Sequence, residues 1–141
     1  MKLSIRKYKK GDFIYIATLA NDEWKQDVMH FATLLHKYDE TNSIERCYVA
    51  EMANEIVGFI YGYSLPNKTL IPLFTYVNPQ HRKAGIATQL LKTLEGESGC
   101  SSSLIFYNRS LHDYYARQGY ETDNNLETAI KNLNQDGGKI L

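Results

Sequence analysis

Cysteine is scarce in this chain. Cys47 and Cys100 are its only two, far apart, and they make neither a CxxC pair nor a disulfide framework. A reducing compartment, the cytoplasm, is therefore the expected home. Charge of one sign is not in excess, since 16 Lys and Arg balance 16 Asp and Glu. That removes any bulk attraction to nucleic acid or an acidic bilayer, and neither partner is expected. No apolar run approaches the ~20 residues that cross a membrane. The opening MKLSIRKYKKGDF lacks the apolar stretch of a secretory signal. No HxxxH, CxxC or acidic cluster offers metal ligands, and no metal is expected. No repeat, low-complexity tract or linker divides the 141 residues, so 1–141 reads as a single domain.

What is present alternates between two periods. Residues 3–7 alternate apolar and polar, as a strand does. Asp12 is placed to cap a helix with Phe13, Ile16, Ala17 and Ala20 on one side. A second helix is expected over residues 23–37, because Trp24, Val28, Phe31 and Leu35 share a face. His30 and His36 in that helix do not share one. Strands follow over residues 47–52 and 56–63, joined by a short hairpin turn at Asn54, and over residues 69–77, where Pro72 suggests a bulge. A helix begins at Gly85 and ends near residues 96–99. Residues 102–107 form a further strand. Residues 110–118 form a helix, with Ser110 and Asp113 at capping-box spacing. Residues 120–122 resume the sheet. Leu126, Ala129, Ile130 and Leu133 have helical spacing, and residues 139–141 end the chain as an edge strand. Consecutive antiparallel strands followed by a β-α-β crossover imply an α+β fold, a mixed sheet with helices on both faces.

The stretch PQHRKAGIATQLL, residues 79–91, carries the chemistry. A helix start exposes backbone N–H groups without internal partners, and the macrodipole adds partial positive charge there. Gly85 and Ala87 keep the turn small, Arg82 and Lys83 add charge, and Ile86, Leu90, Leu91 and Leu94 form a stripe that anchors the helix. A pyrophosphate fits such a site. A basic loop before an ordinary core helix fits the same residues. The turn is no Walker A loop, and it lacks dinucleotide GxGxxG spacing.

The same stretch, Val77-Asn78-Pro79 followed by Arg82-Lys83-Ala84-Gly85-Ile86-Ala87, resembles the acetyl-CoA signature of the GNAT superfamily of N-acetyltransferases, Arg/Gln-x-x-Gly-x-Gly/Ala. A second block is similar too: Asn108 at a strand end, then Tyr114-Tyr115-Ala116-Arg117-Gln118-Gly119-Tyr120. Upstream, EMANEIVGFIYG resembles the family's hairpin, with Gly58 at its usual place. The resemblance runs from about Leu3 to Tyr120, and only the two downstream blocks are specific.

The resemblance implies a GNAT-like central sheet splayed between its fourth and fifth strands, with acetyl-CoA as co-substrate in the gap. Tyr76 and Val77 would pair with the pantetheine arm. The amides of Arg82, Lys83, Ala84, Gly85, Ile86 and Ala87, with Thr88, would hold the pyrophosphate. Asn108 would bond the pantetheine arm, or simply cap a strand end. Tyr115 matches the family's general acid, which protonates the departing thiolate; it competes with a packing or sulfur-orienting role. Tyr114 reads as a core residue. The implied reaction is direct attack by a primary amine, on a small molecule or a protein, by a monomer or homodimer.

The chain departs from many relatives in the base, because LIPLFTYV holds no carboxylate. Glu51 is a candidate base or a solvated strand residue. Asp22, Glu23, Asp39 and Glu40 are candidates for lining an amine pocket, or solvent-facing charges. His81 reads as a local contact, and the base stays unassigned. Phe59, Tyr61, Tyr63, Phe74 and Tyr76 would shape an apolar acceptor cleft or serve as ordinary sheet residues. A non-catalytic acyl-CoA sensor of the same fold is the alternative function. A toxin-type enzyme that acetylates aminoacyl-tRNA is disfavoured by the neutral charge.

Overall fold

The computed structural model describes residues 2–20, 45–122 and 128–133. The helix expected over residues 23–37, the acidic and histidine residues around it, Leu126 and the strand expected over residues 139–141 lie outside the described residues, as do the side chains of Ala17 and Ala20.

Seven strands form one sheet: β1 (Leu3–Lys7), β2 (Glu45–Met52), β3 (Glu55–Ser64), β4 (Thr69–Val77), β5 (Ser102–Phe106), β6 (Glu121–Thr122) and β7 (Thr128–Asn132). Their spatial order is β1-β2-β3-β4-β5-β7-β6. Only β4 and β5 are parallel. The expected α+β mixed sheet is thus the one found. The β2–β3 turn places Ala53 and Asn54 at φ of 52° and 65° between the paired Met52 and Glu55. Two positive φ angles in a two-residue loop make a type I′ turn, whose twist matches that of the strands.

Alternation along β2 and β3 builds two cores. Val49 and Phe59 point to one face with Cys47, Tyr61 and Tyr76. There they meet Ile16 and Phe13 of helix α1 (Phe13–Ala20). Tyr48, Ala50 and Ile60 point to the other face, against helix α2 (Ile86–Glu97). The predicted stripe of Ile86, Leu90, Leu91 and Leu94 is buried there. Each such side chain contributes about 1.5–3 kcal/mol when fully buried. Helices therefore cover both faces. Phe59, Tyr61 and Tyr76 are buried in the core.

Three local readings need correction. Asp12 does not cap α1. It sits in a 3-10 turn, Lys10–Asp12, accepts the Lys9 amide at 2.9 Å and takes a two-pronged bond from Arg6 at 2.8 and 2.9 Å. The Ser110–Asp113 capping box is replaced by Asn108, whose Oδ1 accepts the Ser110 amide at 3.0 Å, and helix α3 spans His112–Arg117. Residues 128–132 form a strand where helical spacing predicts a helix. Ala129 is 3% exposed and Ile130 46%, an alternation of period two. Lys131 conceals that period, because an inward position carries a cation. Its ammonium is satisfied by Glu95 Oε1 at 3.0 Å and the Gln118 carbonyl at 2.6 Å. Tyr120 donates to the other Glu95 oxygen at 2.7 Å, so one buried carboxylate ties α2 to β7.

The sheet opens in its middle. β4 and β5 pair only at Thr69–Ser102 and Leu70–Ser103, yet β4 runs on to Val77. A bulge starts the separation: Gly62 pairs with Pro72 and Tyr61 with Phe74, which leaves Leu73 extra. Pro72 has no N–H to lose, and a bulge bends its strand. At the far end Gly58 faces Val77, where a Cβ would lie 2.9 Å from the Tyr76 carbonyl oxygen. Only glycine lets β3 hold the end of β4 so closely.

Candidate functional site

A cleft of about 440 Å³ opens where β4 and β5 diverge. Its floor is the end of β4: Thr75, Tyr76 and Val77. One wall is the turn into α2, with Arg82, Lys83, Gly85, Ile86, Ala87 and Thr88. The other is the start of α3, with Leu111, Tyr114 and Tyr115. Of the candidate coenzyme-binding and acid residues, Tyr76, Val77, Arg82, Lys83, Gly85, Ile86, Ala87, Thr88 and Tyr115 are brought here. Ala84 belongs to the turn without lining the cleft, and Asn108 is an exposed cap outside the lining. Asn108 uses its carbonyl on Ser110, and its amide nitrogen makes no hydrogen bond among the described residues.

The turn is shaped to receive an anion. Lys83 and Gly85 adopt φ of 68° and 80°, both left-handed. Such turns gather successive N–H groups into a concave nest. Gly85 is the N-cap of α2, with no side-chain cap. Among the described residues, no backbone amide from Lys83 to Thr88 meets a backbone carbonyl. A Cβ on Gly85 would meet nothing within 4 Å. Glycine is therefore required here by backbone conformation, rather than by contact within the protein. Arg82 turns back on β4: Nε donates to the Val77 carbonyl at 2.8 Å, and the guanidinium lies 5.2 Å from the Tyr76 ring centre. With His81 and Lys83 it makes the mouth basic, and no carboxylate lines the cleft among the described residues.

Tyr115 packs among aromatic rings, 5.4 Å from Tyr107, 4.9 Å from Tyr114 and 5.8 Å from Tyr120. Burial, helped by neighbouring Tyr114, pushes its phenol up to about 12. It is held as a neutral donor at physiological pH. Its hydroxyl bonds to no other described residue. Tyr114 is not the core residue expected: it is half-buried, lines the cleft, and its Oη lies 2.9 Å from Thr88 Oγ1. Adjacent helical positions point about 100° apart, so Tyr114 and Tyr115 are turned in different directions on α3. That was the available signal.

Glu51 does not reach the cleft. Arg6 holds it at 3.1 Å, and both face a separate hollow near the start of α1. The Arg6 hydrogen bond pulls its carboxyl below the usual range, which weakens it as a base. Among the described residues, no group of three or more His, Cys, Asp or Glu is gathered to hold a metal ion, and no helix is long and apolar enough to cross a membrane.

Residues 43–122 match a family model described as an acetyltransferase (GNAT) domain. No curated protein matches the sequence. Solved structures of similar shape include the PaiA N-acetyltransferase of Thermoplasma acidophilum with coenzyme A, at TM-score 0.79 and 18% identity over 94% of this chain and 99% of that one. The GNAT N-acetyltransferase YhbS of Escherichia coli with CoA aligns at TM-score 0.76 and 18% identity, over 96% and 84%. A GNAT acetyltransferase of Brucella melitensis with acetyl-CoA aligns at TM-score 0.73 and 17% identity, over 93% and 88%.

Proposed function

The chain belongs to the GNAT acetyltransferase family, and we propose that it moves an acetyl group from acetyl-CoA to a primary amine by direct attack. The observation that carries this reading is a juxtaposition. A run of amides without backbone partners, the stretch of β4 beyond its pairing with β5 and a neutral tyrosine border one cleft. The amides of Lys83 to Thr88 suit the diphosphate, with Arg82 and Lys83 adding charge. The stretch of β4 at Tyr76 and Val77, beyond its pairing with β5, suits an extended arm that pairs like a strand. The amide of Asn108 is available to the same arm. The coenzyme supplies the activated acetyl thioester. A new N–C bond forms as the C–S bond breaks, and Tyr115 donates its proton to the departing sulfur. The amine's proton passes to water, which returns a proton to Tyr115; no carboxylate lines the cleft among the described residues. The acceptor is a small molecule or a protein amine, and the working unit a monomer or homodimer. Two buried free thiols are in keeping with the cytoplasm.

The lack of a lining carboxylate also favours a second reading, an acyl-CoA sensor that transfers nothing. Release of CoA thiol over a panel of primary amines separates the two. Transfer predicts acceptor-dependent release that falls by about 100-fold or more in Tyr115→Phe, with CoA affinity nearly intact. Tight binding without release from any amine would favour the sensor. Equal turnover in Tyr115→Phe would remove that residue from the acid role.

A further inference from the structure

Tyr114 Oη and Thr88 Oγ1 stand 2.9 Å apart, on two helices that border the same cleft. Among the described residues this is the side-chain hydrogen bond that joins α2 to α3. Thr88 lies in the first turn of α2, beside the amides without backbone partners. Tyr114 also presents a ring edge to Tyr115, with centroids 4.9 Å apart and planes at 78°. We propose that Tyr114 is a positioning residue, which orients the Thr88 hydroxyl toward the bound diphosphate and couples that site to the ring of Tyr115. The inference rests on the coenzyme reading above.

Proton counting supports it. A fully ionised diphosphate has no proton to give, so a hydroxyl that bonds it must donate. Thr88 has one hydroxyl proton and two lone pairs. Once that proton is committed to the anion, the bond with Tyr114 survives only if the phenol is the donor. The phenol is also the stronger acid of the two. Occupancy of the anion site therefore fixes one direction, from Tyr114 to Thr88 to phosphate. The same event fixes the Tyr114 ring, against which Tyr115 rests. A tyrosine and a threonine are thus asked to act as one unit, and phenylalanine at 114 would fill the space without completing the chain.

A double-mutant cycle tests the unit, read by calorimetric titration of CoA into the intact protein. Tyr114→Phe and Thr88→Val should each weaken CoA binding about tenfold, the lower end of what a hydrogen bond to a charged group is worth. The double variant should be no weaker than either single one. Thr88→Ser, which keeps the hydroxyl, should bind like the parent. Losses that simply multiply, or a Thr88→Ser as weak as Thr88→Val, would overturn the proposal. So would lowered melting temperatures with unchanged CoA affinity, because the pair would then only hold two helices together. A parent protein that binds no CoA would overturn the coenzyme reading itself, and this proposal with it.

Discussion

Three rings pack around Tyr115. Burial among Tyr107, Tyr114 and Tyr120, and then the presence of Tyr114, lift its phenol to about 12. It stays protonated while an alkyl ammonium, with a pKa near ~10.4, gives up its proton. On the proposed mechanism, in which water takes the amine's proton, the rising limb of the pH–rate curve should belong to the acceptor. For two amines of different basicity, kcat/KM should rise through each amine's own pKa, falling only as pH nears 12. A limb fixed near neutrality for both amines would reveal a base in the protein. The same shift links to stability. A phenol ionises near ~10 in the unfolded chain. The folded value is higher, so this contribution is complete below ~10 and is lost as pH rises toward 12. Denaturation midpoints should decline across that window, and less steeply in Tyr115→Phe. Tyr120, raised by burial and by Glu95, adds to the decline.

Segments were legible in proportion to how local their causes are. Helix α2 could be read in full, since a glycine start and the stripe of Ile86, Leu90, Leu91 and Leu94 lie within ten residues of one another. The turn before it was equally open: Gly85 announces a left-handed residue, although Lys83 at φ 68° does not. Gly85→Glu should cut CoA affinity more than tenfold. A side chain at that φ costs about 1–2 kcal/mol, and its carboxylate opposes the diphosphate. Retained affinity would count against the anion site. Strand β7 was misread because its inward cation is satisfied by Glu95, 36 positions away. Asp12 was misread as a cap for the same kind of reason. Its partner is the Arg6 guanidinium, which also holds Glu51 across 45 positions. Burial would raise the Asp12 carboxyl, but the Arg6 bonds and the Lys9 amide hold it below the usual range. Its contribution is therefore present above ~3.9 and is lost as pH falls. Arg6→Ala should cost about 1–3 kcal/mol in chemical denaturation at neutral pH. The cost should shrink in acid; an unchanged cost there would show that Asp12 is not its main partner.

Neutral in total, the protein distributes its charges unevenly among the described residues. Glu51 and Asp12 are drawn to Arg6, and Glu95 to Lys131. The cleft is lined by Arg82, Lys83 and His81, and among the described residues no carboxylate lines it. Composition argued against a bulk attraction to nucleic acid, but it could not reveal this distribution, which depends on which strands are neighbours. The splay has the same origin. Pro72 hinted at a bulge, while the loss of pairing beyond Leu70 follows from register and from β5 giving its other edge to β7. Everything proposed for the chemistry depends on main-chain nitrogens of that one turn meeting a diphosphate. Amide nitrogen–proton NMR spectra, recorded while CoA is added, observe those nitrogens individually. The largest shifts should fall on Lys83 to Thr88, with smaller ones on Tyr76, Val77 and Asn108. Shifts absent from that turn, or gathered instead around Arg6, Asp12 and Glu51, would contradict the account.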